Sequence, residues 1–385
     1  MNVAVVVLNE FRNDSRVEKV SRSLASKGFV VSVYATAGAN LPKWESKNDY
    51  EVIRPYETTK KVTRWGRILS SICLFWKLWK DLSKIRIIHC NDLEPLAFCI
   101  LLKVIGSDQT SVIYDAHELE TEKEAAVGLR KILSRIAESI LIKKVDGFMT
   151  VSPSIASWYQ KRYDLDEAIV ILNCPYLFRG TNKNLLRKKL NISDNKTIVL
   201  YQGGFSPNRG IPQLIEAFSR LEIPVEYVLV FLGSGTVNKQ GRELQELIEK
   251  VSSKNEKVYY HPSVPYSDLL EYTASADIGI CLTEDSCLSH RFSLPNKMFE
   301  YAMTGLPLIA SDLPEMRRLV KNYKCGILCN SSNASSIEQA LRKLVGCDLE
   351  RMSSNSLEMA QIHCWENQEK KLISLYQRVL RTVDS

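Results

Sequence analysis

Short runs of apolar residues alternate along the chain with longer segments in which apolar and polar residues recur at helical spacing. In the first half the apolar runs are continuous, as expected of strands that are covered on both faces. They lie at 3–8, 30–35, 85–90, 111–116 and 147–152. Amphipathic helices are predicted between them, among them 14–28 and 130–144. A strand, a helix and a strand at this spacing predict a parallel, doubly wound sheet.

The same alternation starts again in the second half, after a segment at 173–184 that is rich in Asn, Pro and Gly. Predicted strands lie at 197–204, 225–235, 257–264, 277–283, 307–312 and 325–330, with helices between them. We therefore predict an α/β protein with two doubly wound, Rossmann-like domains facing a central cleft, at 1–175 and 176–360. A charged C-terminal helix at 361–385 can cross back to the first domain.

The composition fits two globular domains and excludes several other classes. The chain has 385 residues, of which 45% are hydrophobic and 25% charged. Its ten cysteines form no CxxC pair and no histidine is spaced for zinc, so neither a disulfide framework nor a metal site is predicted. The N-terminus enters a strand without a basic leader, and no apolar run reaches the roughly 18 residues that span a bilayer. We therefore expect a cytoplasmic protein.

The positive charge of the chain is concentrated in one region. The net charge is +7, and nine Lys and Arg against two acids lie between 54 and 86. Within this region, 60–84 interleaves basic residues with Trp65, Phe75, Trp76 and Trp79, a pattern typical of a helix on an anionic membrane surface. The alternative is a helix whose tryptophan side packs on the sheet. Nucleic-acid binding is not predicted, because no nucleic-acid motif accompanies the charge.

The loop after the first strand carries a helix start. Ligands of open parallel sheets bind beyond the carboxyl ends of strands, so such loops are the candidate sites. Asn13, Asp14 and Ser15 are helix-capping residue types, and Glu18 follows Ser15 at the spacing of a capping box. The functional alternative is that this helix start, with Arg16, meets an acceptor substrate.

Two further strand ends in the first half bring acids and a histidine together. Asp92 follows the strand at 85–90, and His117 and Glu118 follow the strand at 111–116. Carboxylates near a histidine set its charge state. His117 is therefore a candidate functional residue, although a lone histidine is more often structural.

A glycine turn in the second half is predicted to bind phosphate. Gly203 and Gly204 let the backbone approach a ligand closely, and Arg209 can reach an anion. The helix that follows points its positive end the same way. A second glycine turn, with Gly233 and Gly235, lacks the third glycine of a dinucleotide fingerprint. The alternative to phosphate binding is a plain turn with a solvated arginine.

The segment "SLPNKMFE" supplies a second phosphate-type loop. The helix start at Pro295 and Asn296 offers backbone N–H groups, and Lys297 adds a charge for phosphate oxygens. Glu300 follows one helical turn later, where a carboxylate can accept both hydroxyls of a ribose. Two such loops in one domain predict a bound nucleoside diphosphate. The alternative is a turn with a Lys297–Glu300 surface pair.

The ordered set of motifs resembles the retaining glycosyltransferases of family four, of the bacterial surface-polysaccharide type, which have the GT-B fold. The resemblance rests on "NDSRVEKVSRSLASKGFVVSVYA", "YDAHE", "YQGGFSPNRGIPQLIEAF", "FLGSGT" and "SLPNKMFEYAMTGLPLIASDLPE", in the family's order. It implies a nucleotide-diphosphate-sugar donor on the second domain. By resemblance, Arg209 and Lys297 serve the diphosphate and Glu300 the ribose. His117 would reach the donor sugar, and the base would lie near 259–262, beside His261.

One position departs from the family. A glutamate often stands eight residues before the ribose glutamate, where it contacts the donor sugar. Here that position is Phe292, followed by Ser293 and Leu294. A phenylalanine would favour a less polar face of the donor, such as that of a deoxy or N-acetylated sugar.

The resemblance implies transfer with retained anomeric configuration, with a UDP-sugar as the first expectation and a GDP-sugar as the second. No cofactor and no metal are implied. With a membrane surface at 60–84, the acceptor would be a lipid-linked or polysaccharide glycan of capsule, O-antigen or lipopolysaccharide. Two alternatives stay open. One is a nucleotide-sugar epimerase that uses Glu118 and Glu120, and the other is a non-catalytic partner subunit, which Phe292 favours.

Overall fold

The structure, a computed structural model, divides into two units. It describes residues 1–12, 14–55, 64–81, 84–105, 110–124, 127–180, 184–223, 225–236 and 238–384. The first unit consists of Met1–Leu172 together with Gln368–Ser385, and the second of Asn173–Asn367. Each unit is built around its own parallel sheet.

The sheet of the first unit has eight strands. They are β1 (Asn2–Val6), β2 (Val30–Tyr34), β3 (Trp44–Ser46), β4 (Glu51–Ile53), β5 (Ile87–Asn91), β6 (Ser111–Ala116), β7 (Gly147–Thr150) and β8 (Ile169–Val170). The order is β3-β4-β2-β1-β5-β6-β7-β8, and β3 is antiparallel to β4 whereas the other pairs are parallel. Every residue of β5 and β6 is buried, which explains their continuous apolar runs.

Five helices connect the strands of the first unit. They are α1 (Ser15–Ser26), α2 (Arg64–Asp81), α3 (Leu96–Ile105), α4 (Gly128–Leu141) and α5 (Pro153–Tyr163). Helix α3 packs against both α2 and α4. The three helices connect strands that advance in one direction across the sheet, so right-handed crossovers place them together on one face.

The sheet of the second unit has six strands, all parallel. They are β9 (Thr197–Gln202), β10 (Tyr227–Leu232), β11 (Val258–His261), β12 (Ile278–Cys281), β13 (Leu308–Ser311) and β14 (Gly326–Cys329), in the order β11-β10-β9-β12-β13-β14. The order reverses at β9, where ligands of such sheets bind. The predicted α/β class with two Rossmann-like sheets is confirmed.

Among the described residues, ten further α-helices follow the first unit's sheet in the chain. They are α6 (Leu185–Leu190), α7 (Ile211–Arg220), α8 (Lys239–Ser252), α9 (Tyr266–Thr273), α10 (Leu288–Arg291), α11 (Asn296–Met303), α12 (Pro314–Tyr323), α13 (Ala334–Leu344), α14 (Leu349–Ile362) and α15 (Trp365–Asp384). Helix α15 begins in the second unit, and from Gln368 onwards it belongs to the first.

The start of α1 differs in detail from the prediction. Its N-cap is Asp14, whose carboxylate accepts a hydrogen bond from the N–H of Val17 (3.1 Å). The predicted capping box is wrong, because the N-cap lies one residue before Ser15 and Glu18 pairs with Arg22 instead. Asp14 therefore serves the helix start.

Helix α2 turns Trp76 and Trp79 outwards. Leu74 and Leu78 are fully buried, whereas Trp76 is 57% and Trp79 41% exposed. The alternative in which the tryptophan side packs on the sheet is therefore wrong. Of the predicted membrane segment 60–84, residues 60–63 and 82–83 lie outside the described residues. Within the described ranges, no helix is long and apolar enough to cross a membrane.

Candidate active site

The glycine turn after β9 leaves a strip of backbone open. Gly203 has a φ of +107°, in the region that favours glycine, and both Gly203 and Gly204 are exposed. A side-chain carbon on Gly203 would have the Lys297 ammonium as its neighbour at 3.7 Å, and one on Gly204 would meet Thr236 at the same distance. An anionic group can therefore approach the backbone closely at this turn.

Lys297 lies against this turn from helix α11. Its Nζ is 4.0 Å from the centre of the Tyr201 ring, a cation–π contact. No described carboxylate forms an ion pair with it. Burial, with the nearby Arg209 guanidinium, lowers the pKa of the Lys297 ammonium to about 8. Lys297 is therefore mostly charged at neutral pH, and the Glu300 carboxylate attracts this charge without forming an ion pair with it.

Arg209 is the second cation of the turn. Its Nη1 donates to Thr283 Oγ1 (2.9 Å). Thr283 is itself held in place, because its N–H donates to Ser311 Oγ (2.8 Å) and its carbonyl accepts from Ser331 Oγ (2.7 Å). As with Lys297, no carboxylate in the described part of the chain pairs with Arg209. Two cations near each other repel, and an anion between them relieves that repulsion.

Glu300 is buried one helical turn after Lys297. Its Oε2 accepts from Gln202 Nε2 (2.6 Å), and Gln202 Oε1 accepts in turn from Thr273 Oγ1 (2.7 Å). The alternative of a Lys297–Glu300 surface pair is wrong, because Glu300 is 6% exposed and points to β9. We call Gly203, Gly204, Arg209, Lys297 and Glu300 the glycine-turn cluster.

The loop into α11 places the remaining predicted residues of this segment. Pro295 is the N-cap of α11 and makes no side-chain hydrogen bond, so Asn296 begins the helix without a capping side chain. Phe292 ends α10, where its N–H donates to Leu288 O (3.1 Å), and it is half-buried. Ser293 Oγ donates to His290 O (2.8 Å), and Leu294 is buried. Their contacts with a donor sugar stay predictions.

The second glycine turn packs against the first. A side-chain carbon on Gly233 would lie 2.0 Å from the Gly203 carbonyl oxygen, and one on Gly235 would lie 2.2 Å from Gly241 O in α8. These two glycines are therefore required for backbone packing. Their contact with a ligand stays a prediction. His261 ends β11, where its Nδ1 is bonded to Pro262 O (2.8 Å) and its ring lies against Tyr272.

A separate cluster surrounds His117 in the first unit. His117 Nε2 lies 3.1 Å from Asn91 Oδ1 and 3.3 Å from Asp115 Oδ2, and Nδ1 lies 3.7 Å from Asp92 Oδ2. Burial on its own lowers the pKa of His117, but the carboxylates of Asp92 and Asp115 outweigh it and raise the pKa to about 9. His117 is therefore an imidazolium at neutral pH.

The backbone holds Asp92 in position beside this histidine. Asp92 has a φ of +67°, unusual for a residue with a side chain, and its carboxylate accepts from the N–H of His117 (3.2 Å). Glu118 is exposed and pairs with Lys123 (3.6 Å), which also pairs with Glu120 (2.7 Å). Both carboxylates proposed for an epimerase are thus held by one lysine. Asn13, predicted to lie near an acceptor, is outside the described residues.

Arg16 is not available to an acceptor as predicted. It is 2% exposed, and its guanidinium donates twice to Asp115, at 2.8 and 2.7 Å, and to Ile171 O at 2.7 Å. Burial alone would raise the pKa of Asp115, but Arg16 and His117 hold it well below its usual range. The buried ion pair with Arg16 thus holds the Asp115 carboxylate in position beside His117.

Three residues around His117 were missed from the sequence. Asp115 could have been found, because it interrupts an apolar strand and a buried carboxylate needs partners. His89 and Tyr376 are both fully buried, and His89 Nδ1 is bonded to the Tyr376 hydroxyl at 2.7 Å. Nothing local in the sequence indicates this pair. In the described ranges no three His, Cys, Asp or Glu side chains are placed to hold a metal ion, and metal independence stays a prediction.

Comparison with known families covers nearly the whole chain. Residues 15–175 match the family described as "Glycosyltransferase Family 4", and residues 182–359 match "Glycosyl transferases group 1". The chain belongs to the family 4 glycosyltransferases. This glycosyltransferase is 22% identical over 394 residues to a D-inositol 3-phosphate glycosyltransferase of a Nocardioides species, covering 94% of this chain and 84% of that one.

Solved structures show that the glycosyltransferase has the predicted GT-B fold. Sucrose-phosphate synthase from Thermosynechococcus elongatus superposes with a TM-score of 0.82 at 19% identity, covering 99% of this chain and 100% of that one. Anabaena HepE in complex with UDP-glucose superposes with a TM-score of 0.69 at 12% identity, covering 100% and 99%. The family matches, and not the fold, make the enzyme a transferase of glycosyl groups, which favours the transferase prediction over the epimerase and the non-catalytic subunit.

Proposed function

We propose that this glycosyltransferase takes its sugar from a nucleoside diphosphate sugar, which binds at the glycine-turn cluster. The observation that carries the proposal is the presence of Arg209 and Lys297, both without a carboxylate partner among the described residues, beside an exposed glycine turn. A diphosphate supplies the missing negative charge, and the open backbone lets its oxygens come close. Glu300 accepts the ribose hydroxyls.

The chemistry that this arrangement supports is stabilisation of a leaving group. When the bond between the anomeric carbon and the phosphate oxygen breaks, the electron pair stays on the diphosphate. Arg209 and Lys297 stabilise that growing charge in the absence of a metal. The acceptor hydroxyl attacks on the face that the diphosphate leaves, so the anomeric configuration is retained, and the diphosphate oxygen takes the hydroxyl proton.

His117 is proposed to contact the donor sugar as a hydrogen-bond donor. The support is its charge, since an imidazolium held by Asp92 and Asp115 is a donor at both nitrogens and not a base. We expect its contribution to be the orientation of the sugar rather than proton abstraction.

A UDP-sugar is the first candidate for the donor and a GDP-sugar the second. The fold-level likeness to HepE, whose structure contains UDP-glucose, supports UDP without deciding it. Phe292 favours a deoxy or N-acetylated sugar, and strong preference of the enzyme for a fully hydroxylated hexose donor would count against that part. The acceptor is proposed to be a lipid-linked or polysaccharide glycan of the cell surface, which the exposed apolar side chains of α2 support.

The test is a thermal-shift titration with UDP, GDP and their sugars. A ligand at one hundred times its Kd raises the free energy of unfolding by about 2.7 kcal/mol. We expect UDP to raise the midpoint most, and Arg209→Met and Lys297→Met each to weaken binding about tenfold or more, because each removes a charge facing phosphate. Lys321→Met, an exposed lysine of the same unit, is the matched control.

Two outcomes contradict the proposal. One is that no nucleoside diphosphate raises the midpoint at millimolar concentration. The other is that the midpoint shift survives in both the Arg209 and the Lys297 variants. Analysis by NMR of the anomer first released when the donor is hydrolysed tests retention separately, since inversion gives the other anomer.

A further inference from the structure

Helix α4 is amphipathic in the reverse of the usual sense. Leu129, Ile132, Leu133, Ile136 and Ile140 recur at helical spacing and are 52–70% exposed. The buried residue of the helix is the charged Glu138. A helix on a sheet normally buries its apolar stripe and turns its charges to water. Here five aliphatic side chains face away from the core.

Polar contacts on the inner side fix this orientation. Glu138 accepts hydrogen bonds from the hydroxyls of Tyr114 (2.9 Å), Tyr159 (2.8 Å) and Tyr163 (2.6 Å). A rotation of α4 that buried its aliphatic stripe would break all three bonds between Glu138 and the tyrosine hydroxyls. The outward stripe is therefore built into the unit and is not a loosely packed helix.

The stripe of α4 continues over two neighbouring helices. Ile72, Trp76 and Trp79 of α2 and Leu101 and Val104 of α3 are also exposed, and α3 packs against both α2 and α4. Of the 23 exposed large apolar side chains in the described ranges, 13 lie on these three helices. Apolar exposure concentrated in this way marks an interaction surface, whereas single exposed residues do not. We call it the α2–α4 face.

The charge around the α2–α4 face selects its partner. Residues 64–81, 96–105 and 128–144 contain ten Lys and Arg and two acids. Four of these cations have carboxylate partners, because Lys77 pairs with Asp81, Lys103 with Asp146, and both Lys131 and Arg135 with Glu122. Arg130, Lys143 and Lys144 are exposed on α4 or directly after it, so positive charge remains next to the aliphatic stripe. The partner must offer apolar contact and negative charge together.

An anionic bilayer has both properties. A second copy of this chain would place the same cations opposite each other in a twofold interface, which is unfavourable. Tryptophans such as Trp76 and Trp79 prefer the headgroup level of a membrane, and basic side chains beside them meet lipid phosphates.

We propose that the α2–α4 face is seated in the headgroup layer of an anionic lipid bilayer, with the aliphatic residues of α4 at the boundary with the acyl chains. The predicted segment 60–84 is then one part of a larger surface, of which α4 is the most apolar element. The proposal concerns where the enzyme works and does not depend on the donor chemistry proposed above.

Vesicle flotation tests the proposal with the full-length protein. We expect the wild type to float with vesicles that contain phosphatidylglycerol and not with vesicles of phosphatidylcholine alone. Ile132→Ser with Ile136→Ser should reduce the bound fraction about tenfold or more, because the apolar face drives insertion. Leu357→Ser with Ile362→Ser on α14 is the matched control, since both are exposed but lie in the other unit.

A second pair of substitutions tests the role of charge separately from that of the apolar side chains. Lys143→Gln with Lys144→Gln should weaken binding and reduce its sensitivity to salt. These substitutions remove charge and leave the aliphatic residues of α4 in place. They therefore test the proposal on their own if the aliphatic variant fails to fold. Nucleotide-induced thermal shifts should be unchanged in every variant, which keeps this test apart from that of the donor site.

Two results would overturn the proposal. The first is vesicle binding that is unchanged by both the aliphatic and the lysine pairs. The second is a wild-type dimer in light scattering that the Ile132 and Ile136 substitutions convert to a monomer, since the face would then be an interface between copies.

Discussion

Two carboxylates keep His117 charged, and this charge links the stability of the protein to pH. The pKa of His117 rises from 6.5 to about 9 on folding. A group whose pKa is raised by folding contributes its stabilisation fully below the unfolded value and loses it as the pH rises through the folded value. The stabilising contribution of His117 is thus expected to be complete below pH 6.5 and to decline towards pH 9.

The comparison of wild type with His117→Gln measures this contribution. The difference between their free energies of unfolding, from urea denaturation, should be largest below pH 6.5 and smallest above pH 9. His363→Gln, a histidine of the other unit bonded to Tyr323, controls for the loss of a histidine as such. A difference that stays level or grows over this range would show that His117 is not held as an imidazolium.

Some residues of the site could be predicted from the sequence and others could not. Lys297 and Glu300 stand one helical turn apart, and Arg209 follows a glycine turn, so local spacing was enough to single them out. The pair of Arg16 and Asp115 is separated by 99 residues, and only the tertiary fold brings α1 and β6 together. Arg16 was therefore predicted to be open to an acceptor substrate, because an arginine usually lies at the surface.

The two glycine turns act as one structural element, and paired substitutions can separate packing from binding. In Gly233→Ala the new methyl would lie 2.0 Å from the Gly203 carbonyl, so the backbone must move. We expect the free energy of unfolding to fall by about 1–3 kcal/mol and the UDP-induced shift to be lost with it. In Gly204→Ala the nearest atom would be 3.7 Å away, so stability should stay within about 0.5 kcal/mol.

Gly204→Ala should lower the affinity for UDP rather than the stability of the protein. Its methyl would cover the strip of backbone that faces the proposed diphosphate, and we expect UDP affinity to fall about tenfold. Urea denaturation and UDP-titrated melting of both variants measure the two quantities. Equal losses of stability in the two variants, or unchanged UDP affinity in Gly204→Ala, would contradict this division of roles.

The local sequence pattern predicted where helices and strands lie. It did not predict which side of a helix faces the core. The periodicity at 130–144 indicates a helix correctly, but a stripe of aliphatic residues looks the same whether it faces a core or a membrane. The deciding feature is Glu138, which needs Tyr114, Tyr159 and Tyr163 from three other positions. Likewise β3 and β4 are three residues each, too short for a periodic signal.

At the scale of the whole molecule, the alternation of strands and helices was sufficient to predict two Rossmann-like sheets. The sequence also predicted that the C-terminal helix can cross back to the first domain, but its charged pattern did not show which of its residues pack in which unit. In the structure, Leu372, Leu375, Tyr376 and Val379 are all buried in the first unit, whereas Trp365 is buried at the start of the same helix in the second. One helix therefore contributes to both cores.

This shared helix predicts an uneven response to truncation. A chain that ends at Asn367 loses four buried apolar side chains from the first unit, worth about 1.5–3 kcal/mol each. Their sum is comparable to the roughly 5–15 kcal/mol that stabilises a typical domain. The second unit keeps all of its residues, from Asn173 to Asn367. We therefore expect the first unit to unfold and the second to stay folded and bind UDP.

Hydrogen exchange followed by mass spectrometry distinguishes the two units in one experiment. Peptides from 1–172 should lose their protection in the truncated chain, and those from 173–367 should keep it and become more protected when UDP is added. A chain that ends at Arg381 retains all four buried apolar side chains and should behave as the chain of 385 residues does. Protection that persists in the first unit after truncation at Asn367 would mean that α15 adds little to its core. Loss of protection in both units would mean that the second cannot fold without the first.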